Sequence, residues 1–489
     1  LSRGAGARGV PTLYPRAYFP GARGISNPQA SAMATQATAP IAWQTFTAVG
    51  GKVKVWAQDR YPGDVAKAAA VARAIDADRV WSRLTGLMRR EPASDANLLP
   101  NGGDGALDFY LVHPPMILDP QTGRRTSPWS GMSRSGVPAD SCHESRYLLI
   151  DSRNPLVGNR TTQGLLSTAA HELFHAITAR YRAIEACEVR WVREGSATWA
   201  ENWVYPAPDT EHSLAKTYIG RAHLPIDNGE QLYPDYGTYV LPLYREKTGG
   251  NADFMRSMWE NFERLNGATA PLPGTATLQQ RFARIRSERV RTLKGVNDAL
   301  DGGFDKTWPQ FLLKMWNQPP VDTPSGHKSW DRLTETPFPW GARQTIETPA
   351  DPVTKAIALP AGMDGSTSTT IMPLSGVFTH FAFRPNVRHV VFVNTIADTA
   401  HPHKSVWGIQ KIRGRWEDPK DWTDVFQKAW CRDDSTEDLE ELVIVFGNSD
   451  SETLEPVKPE KLPELKASPT GCTAWVGTST AQTTMTSND

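Results

Sequence analysis

The chain has 489 residues, and its 53 Lys and Arg balance 53 Asp and Glu, so no net field gathers nucleic acid or an anionic membrane surface. Hydrophobic residues at 39% and charged residues at 22% fit a globular chain, which at roughly 150 residues per domain makes two to four domains. No apolar run approaches the ~18–20 residues of a membrane span, which excludes an integral helical membrane protein, and the composition excludes a collagen and a wholly disordered chain.

Residues 1–40 are rich in Gly, Ala, Arg, Ser and Pro without any period, which predicts a flexible arm or the remnant of a pro-segment. Order begins near Trp43, where residues 45–48 and 53–56 alternate as strands. Across residues 63–88, Val65, Ala68, Val71, Ala72, Ile75, Val80 and Leu84 recur at threes and fours and predict a helix. The Gly-rich stretch 101–105 reads as a turn, with a cation-holding loop as the alternative, and leads into an apolar strand at 107–112. A second apolar strand is expected at 147–151.

Past residue 205 the pattern is helical, at 239–247, 252–265, 277–299 and 308–316, and Asn317-Gln318-Pro319-Pro320 ends it. From about residue 340 the period falls from 3.6 to 2. The runs 356–359, 377–383, 389–394, 406–412 and 442–446, separated by turn residues, predict an antiparallel sandwich. Residues 456–470 read as a Pro-rich linker and 471–489 as a strand and Ser/Thr-rich tail, as in a chain cut from a longer one. His401-Pro402-His403 reads as a polar loop rather than a metal site.

The four cysteines fall two and two, which favours Cys142–Cys187 and Cys431–Cys472 among three possible pairings, with buried free thiols as the alternative. Those cysteines and an initial Leu in place of Met suggest a processed chain that is secreted, at the cell surface or periplasmic.

The chemistry concentrates in one stretch. His171-Glu172-Leu173-Phe174-His175 is an HExxH pattern on a predicted helix. Residues four apart share a helix face, so both imidazoles can reach one ion at ~2.0–2.1 Å, while Glu172, rotated from them, faces the open coordination position as a general base. Eighteen residues separate His175 from Glu194, which lies in the second helical candidate Trp191-Val192-Arg193-Glu194-Gly195-Ser196-Ala197-Thr198-Trp199-Ala200-Glu201. A carboxylate there completes a His₂Glu set and leaves the fourth position open. Glu201, two turns after Glu194, suits a hydrogen bond that fixes a ligand imidazole, and Trp191, Trp199 and Trp203 suit the packing of that helix.

HExxH, eighteen residues and then Glu-Gly-x-Ala-x-x-x-Glu after Trp-Val resembles the gluzincin metallopeptidases. The spacing is similar to that of the aminopeptidase N type, which has Trp-Leu-Asn-Glu-Gly-Phe-Ala where this chain has Arg193 and Ser196 at the Asn and Phe positions. The motif covers residues 146–205. The resemblance implies one Zn²⁺ on His171, His175 and Glu194 with Glu172 as base, and a Tyr or His downstream as oxyanion donor. Tyr236, Tyr239 and His223 are the candidates. The Gly-x-Met-Glu-Asn segment that holds a substrate amine in those aminopeptidases is missing; Gly131-Met132-Ser133 is not one. The expectation is therefore an endopeptidase acting on extracellular proteins or glycoproteins.

The fold expected is an α+β zincin-like catalytic domain over residues 41–330, a small twisted sheet plus active-site helices and a helical subdomain, followed by an all-β sandwich over 340–455. Two other functions fit the same residues: a catalytically silent scaffold that binds a glycan or a surface protein, and a zinc hydrolase of non-peptide esters or amides.

Overall fold

The computed structural model describes residues 42–94, 104–112, 131–134, 147–152, 161–181, 190–227, 234–249, 251–266, 277–315, 344–346, 352–357, 359, 370–432 and 438–470. The expected arm (1–40) and tail (471–489) lie outside them. Two compact units result: one runs up to Ala215 and resumes over Gly229–Ala299, and the other takes Lys216–Asn228 and everything from Leu300. The first mixes helices with one sheet, and the second is built on two mainly antiparallel sheets.

In the first unit, β1 (Trp43–Ala48) and β2 (Val53–Gln58) form an antiparallel hairpin. The turn runs through Gly50 and Gly51 at φ 62° and 93°, a left-handed conformation that glycine adopts without strain. β2 then pairs in parallel with β3 (Leu107–Val112), and β3 in parallel with β5 (Tyr147–Asp151). Parallel neighbours require crossovers. Helices Pro62–Asp76 and Val80–Met88 fall in the first of them, and the former lays Ala68, Val71, Ala72 and Ile75 into the core. The single helix expected over 63–88 is thus two, broken at Arg79 with φ 62°. No Gly or Pro marks that break, so the apolar period reads straight through it. Strand β4 (Gly131–Arg134) closes the order β1-β2-β3-β5-β4, antiparallel to β5 and at the sheet edge.

Helix Thr162–Thr178 carries the HExxH pattern. Thr161 caps it, its hydroxyl accepting from the Gly164 N–H at 3.1 Å. Nearly every residue of this helix is buried, because strands β4 and β5 and helix Pro62–Asp76 pack on it, and helix Arg190–Val204 does too. Helices Val240–Gly249, Asp253–Asn266 and Leu278–Ala299 complete the unit. The last starts at a reciprocal cap: Thr277 Oγ1 accepts from Gln280 N–H at 3.2 Å, and Gln280 Oε1 accepts from Thr277 N–H at 2.8 Å.

The second unit stacks two sheets. Strands β6 (Gln344–Ile346), β8 (Ser375–Phe383), β14 (Leu439–Asn448), β10 (Lys404–Ile412) and β11 (Arg415–Trp416) form one, with β12 (Lys420–Asp421) beside β10. Strands β7 (Val353–Ala356), β15 (Glu464–Ser468), β9 (His389–Val393) and β13 (Gln427–Cys431) form the other. Phe381, Ile444 and Phe446 of the first sheet share one apolar core with Val390, Phe392, Trp430 and Leu465 of the second.

β8 is buried along its whole length, beyond what alternation requires. At its Ser375–Gly376 end it meets helix Gly303–Met315, whose Leu312 lies against Gly376 and Gly447, while Trp308 Nε1–H donates to the Ser375 carbonyl at 3.2 Å; further along, His380 meets Trp416 and Glu441. Residues 300–315, expected within the catalytic domain, therefore belong to the sandwich unit. The helical period of Phe304, Trp308, Phe311 and Met315 predicts an apolar face but not which sheet it covers. Residues 456–470 are not a plain linker either. β15 pairs with both β7 and β9, with Leu465 and Ala467 buried and Glu464 and Lys466 outward, an alternation masked in the sequence by the Pro and Lys around it. Cys431 is not free; Cys142, Cys187 and Cys472 lie outside the described residues, and so do both expected pairings.

Two stability predictions follow from buried groups. Asp108 on β3 is fully buried, accepting from Trp56 Nε1–H at 2.7 Å and from the Tyr110 hydroxyl at 3.0 Å. Burial nevertheless pushes its carboxyl up from 3.8 to about 6. Because the folded chain holds that proton more tightly than the unfolded chain, this contribution is complete below 3.8 and is lost as the pH rises through about 6. Asp108→Asn should flatten the fall in stability across that window, as read by urea midpoints at a series of pH values. In the second unit, a Cβ on Gly408 would run into the Trp422 ring, which is itself packed between Phe392 and Trp430. Gly408→Ala should cost about 1–3 kcal/mol of overpacking in urea unfolding of the sandwich.

Candidate metal centre

Helices Thr162–Thr178 and Arg190–Val204 face each other inside the first unit, and their facing positions carry every expected ligand. His171 Nε2 and His175 Nε2 are 3.1 Å apart, and Glu194 Oε2 lies 3.4 Å from the first and 3.3 Å from the second. A tetrahedral ion with bonds of ~2.0–2.1 Å holds neighbouring ligand atoms about 3.3 Å apart, so the three atoms already stand near three corners of such a tetrahedron. Each of the three side chains is at most 13% exposed.

Glu201 sits where the two-turn spacing from Glu194 puts it. Its Oε1 is 2.8 Å from His171 Nδ1, so the imidazole donates from Nδ1 and keeps the Nε2 lone pair for an ion. Glu172 is buried, and its Oε2 has no hydrogen-bond partner among the described residues. Burial pushes the Glu172 carboxyl up to about 8, with Glu194 and Glu201 adding to the shift against the pull of His171.

The remaining electrostatics express one shortage of positive charge. Burial opposes charge on His171, but its hydrogen bonds to Glu194 and Glu201 outweigh that and hold it up at about 10. Burial pulls His175 down to about 4 against the attraction of Glu194. Burial likewise opposes charge on Glu194, yet His175 and the hydrogen bonds from both imidazoles hold its carboxyl well below the usual range. Three carboxylates thus converge on two imidazoles that cannot both carry a proton. A divalent cation would supply the missing charge, and the donor set of two nitrogens and one oxygen suits Zn²⁺. His171, His175 and Glu194 could hold such an ion.

The candidate oxyanion donors separate. The Tyr236 ring, in the short helix Pro234–Gly237, stacks on His171 at 5.8 Å between centroids and 23° between planes. Burial, then the charges of Glu194 and Glu172, push its hydroxyl well above the ordinary value, so it stays a proton donor. Tyr239 is fully buried, and His223 belongs to the other compact unit. Trp191 and Trp199 are buried as expected of packing residues; Trp199 meets Phe174 edge-on and donates from Nε1 to Glu246 Oε2 at 2.8 Å.

What holds Tyr236 in place was not evident from the motif. Thr238 Oγ1 lies 2.7 Å from the Trp191 carbonyl and 2.6 Å from the Asp235 carbonyl, and Asp235 Oδ2 pairs with Arg190 Nε at 3.2 Å. The Tyr236 segment thereby lies against the first turn of helix Arg190–Val204, close enough that a Cβ on Gly195 would strike Thr238. Another group also escaped the sequence reading: Asn202 Nδ2 donates to the buried Glu211 at 2.6 Å, one residue beyond Glu201. The adjacent Asp209, Glu211 and His212 were the signal available for it.

No protein-family model and no curated protein matches this chain. A solved structure that does match is the M60 catalytic domain with the CBM51-1 and CBM51-2 domains from Clostridium perfringens ZmpB, at 10% identity and a TM-score of 0.29. The match covers 90% of this chain and 60% of that one, so this chain spans less than two thirds of the neighbour's length. At that TM-score it carries no argument, and the reading rests on the geometry above.

Glu201 lies outside the three-residue ligand group but bonds His171 Nδ1 at 2.8 Å. Glu201→Ala should weaken Zn²⁺ binding about 10–100-fold in competition with a chelating dye, while the far-ultraviolet circular dichroism stays unchanged.

Proposed function

We propose that this protein is a zinc-dependent endopeptidase with a zincin-like catalytic domain. The observation that carries the reading is the set of three ligand–ligand distances, 3.1, 3.3 and 3.4 Å, beside a buried Glu172 oxygen without a partner. His171, His175 and Glu194 would hold the ion. Zn²⁺ held there supplies a Lewis acid that polarises the scissile carbonyl and lowers the pKa of an attacking water to about 7.

Glu172 takes the proton of that water and delivers it to the leaving nitrogen. Positive charge beside it draws its pKa back down from about 8, which leaves it a base at neutral pH. Tyr236 donates its hydroxyl hydrogen to the oxyanion as the carbonyl becomes tetrahedral. Glu201 keeps His171 in the tautomer that leaves Nε2 free. The edge strand β4, antiparallel to β5 and packed on the HExxH helix, offers backbone groups along which an extended peptide can pair, a mode that needs no free terminus. That supports endopeptidase action on protein or glycoprotein substrates. The antiparallel sandwich suits an accessory binding module. No helix among the described residues is long and apolar enough to cross a membrane, and a secreted or surface-associated chain remains the setting in which cysteine pairing makes sense.

In zinc-replete protein, Glu172→Gln should keep its metal and lose about 10²–10⁴-fold in casein hydrolysis. Metal content and rate measured on the same sample check it; full turnover in the loaded variant would remove Glu172 from the role.

A further inference from the structure

Just past helix Arg190–Val204, the chain places three potential ligands within four residues. Ligand atoms of Asp209, Glu211 and His212 all lie within 4.8 Å of one another. His212 Nε2 is 3.6 Å from Asp209 Oδ1 and 3.7 Å from Glu211 Oε1. Acidic residues beside a histidine are common enough to need more than proximity. Here the second observation is burial without satisfaction. Glu211 is fully buried, yet its Oε2 has no hydrogen-bond partner among the described residues. The Asn202 amide that donates to Glu211 Oε1 at 2.6 Å is buried too, and its Oδ1 likewise has no partner there. A buried carboxylate paired on one oxygen alone stays charged only at a cost, which a proton or a cation on the other oxygen removes.

We propose that Asp209, Glu211 and His212 form a second divalent-cation site, separate from the HExxH centre, that takes a first-row transition ion such as Zn²⁺. One imidazole and two carboxylates are the donors such ions accept, whereas Ca²⁺ prefers oxygen alone. The separations of 3.6 and 3.7 Å are wider than the 3.1–3.4 Å of the HExxH centre, so this site binds more weakly. Asp209, 43% exposed, forms its mouth, and Glu211 its floor. An ion there joins the start of helix His212–Ile219 to Asn202, one residue from the Glu201 that fixes His171.

The test uses the full chain, stripped with a chelator and titrated with Zn²⁺, with bound metal counted by mass spectrometry. The expected result is about two ions per chain, the weaker leaving first on chelation. Asp209→Asn and His212→Gln, both at solvent-reachable positions, should each bind about one ion and lose the weak phase, and His171→Ala should bind about one and lose the tight phase. A wild-type chain holding about one ion, unchanged in both Asp209→Asn and His212→Gln and lost in His171→Ala, would overturn the proposal and leave His212 as the cation of a plain ion pair. If His171→Ala instead holds as many ions as the wild-type chain while His212→Gln loses one, the second site stands and the peptidase reading fails.

Discussion

Everything at the HExxH centre depends on one imbalance of buried charge. Glu172, Glu194 and Glu201 enter a region that burial has stripped of water, where His171 and His175 answer them and the charge of Arg193 adds to theirs. The two imidazoles stand too close for both to be protonated, since their Nε2 atoms are 3.1 Å apart. Left alone, the cluster compromises: His171 takes a proton, His175 gives its up, and Glu172 is driven toward neutrality. Packing that concentrates negative charge so tightly stabilises nothing by itself, because buried ion pairs barely recover their desolvation cost. It makes sense as a site prepared for a small cation of high charge.

Preparation also requires that the groups do not drift. His171 is gripped from two sides, by Glu201 at Nδ1 and by the Tyr236 ring on its face. Tyr236 is itself fixed because Thr238 binds the Trp191 carbonyl and Asp235 pairs with Arg190, both at the start of the helix that bears Glu194. Gly195 permits the approach, since any side chain there would push Thr238 away. The Gly of the Glu-Gly pair therefore carries a packing duty, and one short segment sets the positions of Glu194, Tyr236 and the His171 ring together.

The residues that were legible in the sequence are those whose relation is local. His171 and His175 share a face because the helix repeats every 3.6 residues, and Glu194 and Glu201 share one for the same reason. That these two faces would meet was inferred from a motif's spacing, not from any local rule. Tyr236 could be named only as one of several candidates, because its position depends on a contact between residues 191 and 238 that no period announces. The helix over 303–315 shows the same limit from another side: its apolar stripe is plain, but the stripe does not say that it will cover β8 and β14. Strand β15 was hidden for the opposite reason, its short alternation surrounded by prolines that read as linker. Local propensity fixes elements, while partners are chosen by packing that only the folded chain displays.

Helix Arg190–Val204 then emerges as the shared support of both acidic clusters. Its Glu194 and Glu201 face His171, and the next residue, Asn202, turns to Glu211. Consecutive residues on a helix point about 100° apart, so Glu201 and Asn202 necessarily serve different neighbours. Any force on Asn202 is felt by Glu201 through one rigid turn of backbone. A cation that fixes Glu211 would thus steady the helix end that orients His171 without approaching the reacting atoms, and its loss would loosen the tautomer control before it disturbed the ligands themselves.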